Sequence, residues 1–295
     1  MATFVKKSIQ LLTIHPHNTA TAKLHSYLLS AVAPRPIALA STIDEQGHPN
    51  LSPFSFFNVF SANPPILIFS PARRVRDNTT KHTLENSKAT REVVINVVNH
   101  NIVQQTSLSS TEYDKGVNEF EKAGFTMIES DLVKPYRVKE SPVQLECKII
   151  EIKELGKEGG AGNLIICEVV CMHIDEEVLD ANQNIDQVKL DLVARAGGSL
   201  YTRAKDSFFE IPKPLQSKGI GVDKLPESVR NSHILTGNDL GMLGNVECLP
   251  DQADVDKFLG DKIDFIPQEL NEKHKFAQEF LKKNDVESAW KVLLS

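Results

Sequence analysis

Cysteine is scarce in this chain: four residues in 295, Cys147, Cys167, Cys171 and Cys248, with no CxxC pair. That excludes a disulfide-framework scaffold and the common zinc-ribbon spacings. Cys167 and Cys171 are four apart in a strand-like stretch, which puts them on one face but about 13 Å apart, beyond disulfide reach. Buried, reduced thiols are the expectation, and they suit a cytoplasmic protein. No apolar run approaches a membrane span. The N-terminal stretch MATFVKKSIQLLTIHPH has two lysines, but Ser8, Gln10 and Thr13 interrupt its apolar residues, so it is not read as a signal peptide. There is no long basic run and the net charge is −6, so a nucleic-acid partner is not expected.

Several motifs are also missing. No GxGxxG joins a strand to a helix, so a Rossmann nucleotide site is not indicated. GKEGGAG (156–162) is not a P-loop: Lys157 follows the first glycine, no Ser or Thr closes it, and it joins two strands. It reads as a flexible hairpin tip. The nine histidines form no HExxH, and no GxSxG elbow is present. No metal site and no catalytic acid–base dyad is expected.

What is present begins at residues 34–58, PRPIALASTIDEQGHPNLSPFSFFN. Residues 37–43 read as a strand, Asp44–Gly47 as a turn, and 50–58 as a returning strand. Ser41, Thr42, Ser52, Ser55 and Asn58 place hydroxyls and an amide along two neighbouring strands, and Phe54, Phe56 and Phe57 add flat apolar walls. A strand built only for a core needs no such polar content; the mixture suits a ligand part polar and part planar. Further strands are expected at 66–70, 92–98, 143–155 and 163–174, with one more at 188–193. Helices are expected near 18–33, with a stripe at Leu24, Tyr27, Leu28 and Ala31, near 80–88, and in 100–124 broken near Gly116 and Gly124. A phase slip at Ile150 and Ile152 predicts a bulge. The pattern is an antiparallel barrel with helical decoration rather than a doubly wound sheet.

RRVRDNTTKHT (73–83) is the second informative stretch. It gathers Arg73, Arg74, Arg76 and Lys81 with Thr79, Thr80 and Thr83 at a helix start, where backbone amides, the helix dipole and a lysine bind phosphate. The alternative is a solvated loop with a threonine cap. His82 lies inside it. ARAGGSLY (194–201) pairs Arg195 and Tyr201 with two glycines, which either approach a ligand or form a tight turn. Past about residue 205, prolines 212, 214, 226 and 250 break up the chain. A helix at 268–282 uses Phe276, Phe280 and Leu281, and a capping box of Asn284 and Glu287 starts a last helix bearing Ala289 and Trp290. Residues 20–205 are read as one domain and 206–295 as an α-rich extension packed on it, with a separate domain as the alternative.

Taken in order, PRPIAL (34–39), ST with DEQG (41–47), NLSPFSFFN (50–58), NPPILIFS (63–70), KHT (81–83), EVVINVV (92–98), ESPVQLEC (140–147) and RAGGSLY (195–201) resemble the flavin reductase-like, FMN-binding split-barrel family that includes flavoredoxin. The resemblance implies a split β-barrel, a homodimer with FMN near the subunit interface, and hydride transfer between NADH or NADPH and flavin. It implies that Ser41, Thr42, Lys81 and Thr83 hold the phosphate, that Pro53, Phe54, Ser55, Phe56, Phe57 and Asn58 line the isoalloxazine ring, and that Ser70 and Arg73 sit near the flavin's edge or ribityl chain. The family commonly has KDT where this chain has Lys81-His82-Thr83, so the helix-start carboxylate is missing and the role of His82 stays open. Other readings are an electron-transfer flavoprotein serving a redox partner without fast NAD(P)H oxidation of its own, and a non-redox ligand-binding barrel.

Overall fold

The computed structural model describes residues 10–214, 218–260 and 266–295; Lys6, Lys7 and Ser8 of the N-terminal stretch lie outside them. The chain divides into two compact units, Met1–Phe208 and Phe209–Ser295.

The first unit opens with helix α1 (Thr21–Ala31), followed by strands β1 (Ala38–Ile43), β2 (Pro49–Phe54), β3 (Phe57–Ala62) and β4 (Pro65–Phe69). Helix α2 (His82–Thr90), strand β5 (Glu92–Val97), helices α3 (Val103–Leu108) and α4 (Glu119–Ala123), and the short β6 (Met127–Ile128) and β7 (Arg137–Val138) come next. Two long strands, β8 (Val143–Glu154) and β9 (Asn163–Ile174), helix α5 (Gln187–Leu190), and the pair β10 (Val193–Arg195) and β11 (Tyr201–Arg203) complete it. The first half of the segment read as a strand at 188–193 is therefore helix, capped by Asp186, whose carboxylate accepts from the Val188 and Lys189 amides. The strand begins only at Val193.

Seven strands form one antiparallel sheet in the order β2-β1-β5-β8-β9-β4-β3. The stretch 50–58 is not one strand. It breaks at Ser55 and Phe56, and its halves become the two outer strands of the sheet. Laid flat, seven strands would hold those edges about 29 Å apart. Two intervening residues span only about 10 Å, so the sheet has to roll up. β2 and β3 do not pair with each other, which leaves the barrel open along that seam.

The two faces of β1 follow strand periodicity. Ala38 and Ala40 join the interior core with Phe54, Phe69, Ile95, Leu145, Cys147, Ile165 and Cys167. Leu39 faces the other way and packs with Leu51, Ile102, Phe120 and Phe125 under α3 and α4. All six residues of β1 are consequently buried.

The predicted bulge is found: Ile149 pairs with Cys167 and Glu151 with Ile166, leaving Ile150 extra. A second, unforeseen bulge lies on the opposite strand. Cys147 pairs with Val169 but Glu146 with Cys171, so Val170 is the extra residue. It reverses the face of everything beyond it. Cys167 is fully buried in the core, while Cys171 is half-buried beside Glu146 on the outer surface. The expectation that the two cysteines share a face and burial is corrected by that one inserted residue.

The second unit is helical: α6 (Glu227–Arg230), α7 (Gly237–Gly244), α8 (Gln252–Leu259), α9 (Leu270–Leu281) and α10 (Val286–Leu293). Its own core gathers Leu225, Val229, Leu243, Ala277, Leu281, Ala289 and Trp290. The indole of Trp290 donates to the Leu243 carbonyl at 3.1 Å, satisfying its polar end inside an apolar cluster. The expected Asn284 capping box does not form. Asn284 takes a left-handed conformation, and Asp285 caps α10 by accepting from the Ser288 amide at 3.0 Å.

Candidate functional site

Three neighbourhoods in the first unit hold the polar residues that stood out. The first is a buried amide–hydroxyl network at the start of β2. Asn50 Oδ1 accepts from Thr83 Oγ1 at 2.8 Å and Thr42 Oγ1 at 3.4 Å, and Asn86 Nδ2 donates to Thr42 Oγ1 at 3.2 Å. The Asn50 amide donates to Glu119 Oε1 at 2.8 Å, and the Leu51 amide donates to Glu119 Oε2 at 3.0 Å. Burial raises the Glu119 pKa and outweighs those two hydrogen bonds. Thr42 and Thr83 are brought together here, but both are wholly buried with their hydroxyls turned to Asn50. Ser41, one residue from Thr42, points to the opposite face of β1, and its Oγ has no hydrogen-bond partner.

The second neighbourhood is the loop 71–81 and the first turn of α2. The threonine cap of the alternative reading is absent: Lys81 occupies the N-cap position and no side chain among the described residues caps the helix, so its leading amides lack intrahelical acceptors. Thr79 and Thr80 serve the loop instead. Thr79 binds Asp77, whose pKa its hydroxyl lowers to about 2, and Thr80 donates to Glu85 at 2.9 Å. The arginines are also occupied. Arg73 donates to Asn78 Oδ1 at 2.7 Å, and Glu112 holds Arg74 at 2.8 Å and Arg76 at 2.9 Å. The Lys81 ammonium enters no hydrogen bond or ion pair among the described residues. Burial, and then the neighbouring Arg74 charge, hold its pKa below the usual lysine range. The 156–162 tip is not a free loop: Arg73 N donates to the Ala161 carbonyl at 2.8 Å, and Gly160 N to the Arg73 carbonyl at 2.9 Å. His82, half-buried, lines a small cleft with Asp44, His48 and Lys115.

The third is a cavity of about 490 Å³ walled by Pro53, Phe54 and Ser55 from the end of β2, by Thr106 and Ser107 of α3, and by Arg195 and Tyr201. Arg195 lies over the Tyr201 ring at 4.6 Å, a cation–π contact across the β10–β11 pair. The hydroxyl of Thr106, 3% exposed, has no partner. Arg35 fixes the arginine's strand: its backbone bridges Arg195, and its guanidinium donates to the Leu29 carbonyl at 2.6 Å, the Val32 carbonyl at 2.5 Å and the Ala196 carbonyl at 3.3 Å. The turn reading of ARAGGSLY holds. Gly198 turns the chain at φ +59°, and a Cβ on Gly197 would meet Ser30 Oγ at 2.3 Å, so only glycine lets this turn lie against α1.

Of the aromatic run, Phe54 turns its ring into the barrel against Phe69, Phe57 packs on the same core, and Phe56 stands exposed, edge-on to His25. Asn58 is exposed, its Oδ1 accepting from the Val59 amide at 2.8 Å. Only Pro53, Phe54 and Ser55 of Pro53–Asn58 reach the cavity. Ser70 is buried, its amide donating to the Phe56 carbonyl at 2.9 Å across the turn into β3. Sequence reasoning missed Asn50, Glu119, Thr106 and Ser107. Glu119 meets Asn50 across 69 positions, and no local pattern signals that pairing.

The profile described as flavin reductase like domain matches residues 30–190. An uncharacterised protein of Aquifex aeolicus is 37% identical over 181 residues, 61% of this chain and 90% of that protein. Among solved structures, nitrilotriacetate monooxygenase component B from Bacillus cereus superposes with a TM-score of 0.65 at 27% identity, covering 69% of this chain and all of that one. A Shewanella frigidimarina protein described as a flavin reductase with a split barrel domain gives 0.57 at 29% identity, covering 67% of this chain and 95% of that one. The helical unit from Phe209 onward lies outside the matched domain. With a profile match over more than half its length, on an open antiparallel barrel, the chain belongs to the flavin reductase-like family.

Proposed function

We propose that this chain binds FMN and is an NADH- or NADPH-dependent flavin oxidoreductase, working as a cytoplasmic homodimer. The observation that carries the reading is the cavity of about 490 Å³ between the end of β2 and the β10–β11 pair, with Phe54, Thr106, Ser107, Arg195 and Tyr201 in its wall. A planar ligand with a polar edge fits that lining, and the volume lies within the range of cofactor pockets. The uncapped amides of α2 and the unpaired Lys81 fit a phosphate: a dianion would offset both the desolvation and the Arg74 repulsion that depress the lysine. Thr42 and Thr83 would act through Asn50, holding the start of α2 in place.

Bound FMN would supply the hydride-accepting chemistry, as cofactors do. The protein's part is orientation and electrostatics. Arg195 would favour negative charge on the reduced ring, and the Tyr201 face keeps that guanidinium in place. No protein acid or base is needed to move a hydride. Edge strand β3 exposes Val59 at 64% and Phe60 at 63%, and α1 buries none of its residues, which supports a second copy covering these faces. The B. cereus protein is named as one component of a monooxygenase, which supports a redox partner that takes electrons from this chain.

The test is the visible spectrum of the purified protein with FMN titration, followed by stopped-flow mixing with each nicotinamide. Bleaching of bound flavin by NADH or NADPH faster than free flavin is expected. Absence of FMN binding overturns the reading; binding without accelerated bleaching turns it into the electron-transfer alternative.

A further inference from the structure

On the outer face of β8 and β9, away from the cavity lining, Asp131, Glu146, Cys171 and His173 each place a ligating atom within 4.8 Å of the other three. The bulge at Val170 makes this cluster. It turns Cys171 out to face Glu146 across the strands, and His173 follows two residues on, on the same face. Asp131 arrives from the loop between β6 and β7.

Glu146 is wholly buried. Its carboxylate accepts from the Asp131 amide at 2.8 Å, the Leu132 amide at 2.7 Å and His173 Nε2 at 2.7 Å, with Arg137 Nε at 3.8 Å. Burial works to raise its pKa, but the two amides and the imidazole outweigh burial and hold it below the ordinary range. The group is thus an ionised carboxylate at neutral pH.

A thiol–imidazole–carboxylate relay does not account for the arrangement. In a relay the thiol and the carboxylate engage opposite ring nitrogens. Here Cys171 Sγ, at 3.5 Å, and Glu146 Oε1, at 2.7 Å, converge on the same Nε2. Three donor atoms of different chemistry crowding one point is the pattern a shared cation produces. Around tetrahedral zinc, with bonds of about 2.3 Å to sulfur and about 2.05 Å to nitrogen, the sulfur–nitrogen edge is about 3.5 Å. The Oε1–Nε2 edge would have to open by roughly 0.6 Å to reach its tetrahedral value.

We propose that Cys171, His173, Glu146 and Asp131 form a binding site for one zinc-class transition cation. One sulfur, one nitrogen and two carboxylate oxygens select such a metal over magnesium or calcium, which take oxygen ligands alone. Asp131 is exposed and closes the site from the solvent side; its present neighbour is Arg137 at 3.5 Å, which has to yield. Binding displaces the Cys171 thiol proton and moves the His173 ring proton to Nδ1, so affinity rises with pH. The metal would pin the 129–135 loop to the barrel.

Titration of the full-length protein with Co2+ tests the site, because tetrahedral cobalt absorbs in the red, where oxidised flavin does not. One equivalent per chain with tetrahedral bands and a sulfur-to-cobalt charge-transfer band, displaced by Zn2+, is expected. Cys171→Ser and His173→Gln should each weaken binding by more than about tenfold, since even outer-shell losses cost about 10- to 100-fold. Cys248→Ser, at the exposed cysteine, should leave it unchanged. No saturable one-equivalent binding, or a cobalt spectrum unaltered in Cys171→Ser, overturns the proposal.

Discussion

The barrel unit and the helical unit bury different things. Among the described residues, nineteen polar or charged residues are buried in the first, from Arg35 to Asp191, and two in the second, Asp239 and His274. Among the described residues, the six buried side-chain polar atoms without a partner, Thr106 Oγ1 and Ser41 Oγ among them, also lie in the barrel unit. The helical unit satisfies what little it buries. Asp239 accepts from Thr236 and Gln278, and the ring of His274 meets the Ser232 hydroxyl at 2.8 Å. Unsatisfied buried groups cost stability, and of these residues Thr106 lies in the cavity wall. The helical unit reads as packing optimised for its own stability, the barrel as packing compromised for a site.

The largest expected effect tests the helical half of that contrast. Trp290→Ala should cost about 3–5 kcal/mol, the range for emptying a core aromatic site, read as lost hydrogen-exchange protection in α7, α9 and α10. FMN affinity should stay unchanged; a parallel fall in affinity would mean the two units are not separable in this way. Next, Lys81→Ala should weaken FMN binding by roughly 1.5–3 kcal/mol, the scale of a hydrogen bond to a charged group. An unchanged dissociation constant at low salt would remove the phosphate from α2. Thr42→Val should cost less, about 0.5–1.5 kcal/mol, because its hydroxyl acts through Asn50; a larger loss than Lys81→Ala would reverse that ranking.

Glu119→Gln should destabilise the barrel by about 1–3 kcal/mol, since an NH2 group would face the Leu51 or Asn50 donor. It should also change the pH dependence. Because burial raises the Glu119 pKa, its contribution to stability is present at low pH and is lost as pH rises through the raised value. Urea unfolding across that range should show a falling slope in the wild type that is flatter in the variant. The smallest effect has the opposite sign and belongs to the other unit. Burial lowers the His274 pKa, so stability is present above the ordinary histidine value and is lost as pH falls from there towards the lowered one. His274→Gln should flatten that acid limb; an unchanged limb would show that the buried imidazole does not set it.

Local patterns carried a good share of the fold. Alternation at Val143, Leu145, Cys147 and Ile149, the Asp44–Gly47 turn and the amphipathic helix of Phe276, Phe280 and Leu281 are all legible because each is a periodicity within one element. The site was legible only in part. The Pro53–Asn58 run marked a wall of the cavity, but the break at Ser55 and Phe56 left half the run outside it. The loop of four cations was visible, yet nothing local showed that Glu112 and Asn78 would occupy three of them and leave Lys81.

By itself, the sequence determined most strands of the main sheet, most of the helices and the family, since the ordered motifs from PRPIAL to RAGGSLY are local strings. Tertiary structure alone decided that β2 and β3 stand at opposite edges of one sheet, that Glu119 holds Asn50, and that Arg195 reaches the cavity. It also decided that Cys171 turns outward to His173. The physical reason is register. Period sets which way a side chain points within a strand, but one inserted residue, such as Val170, reverses every position after it. Only the pairing partner reveals the insertion.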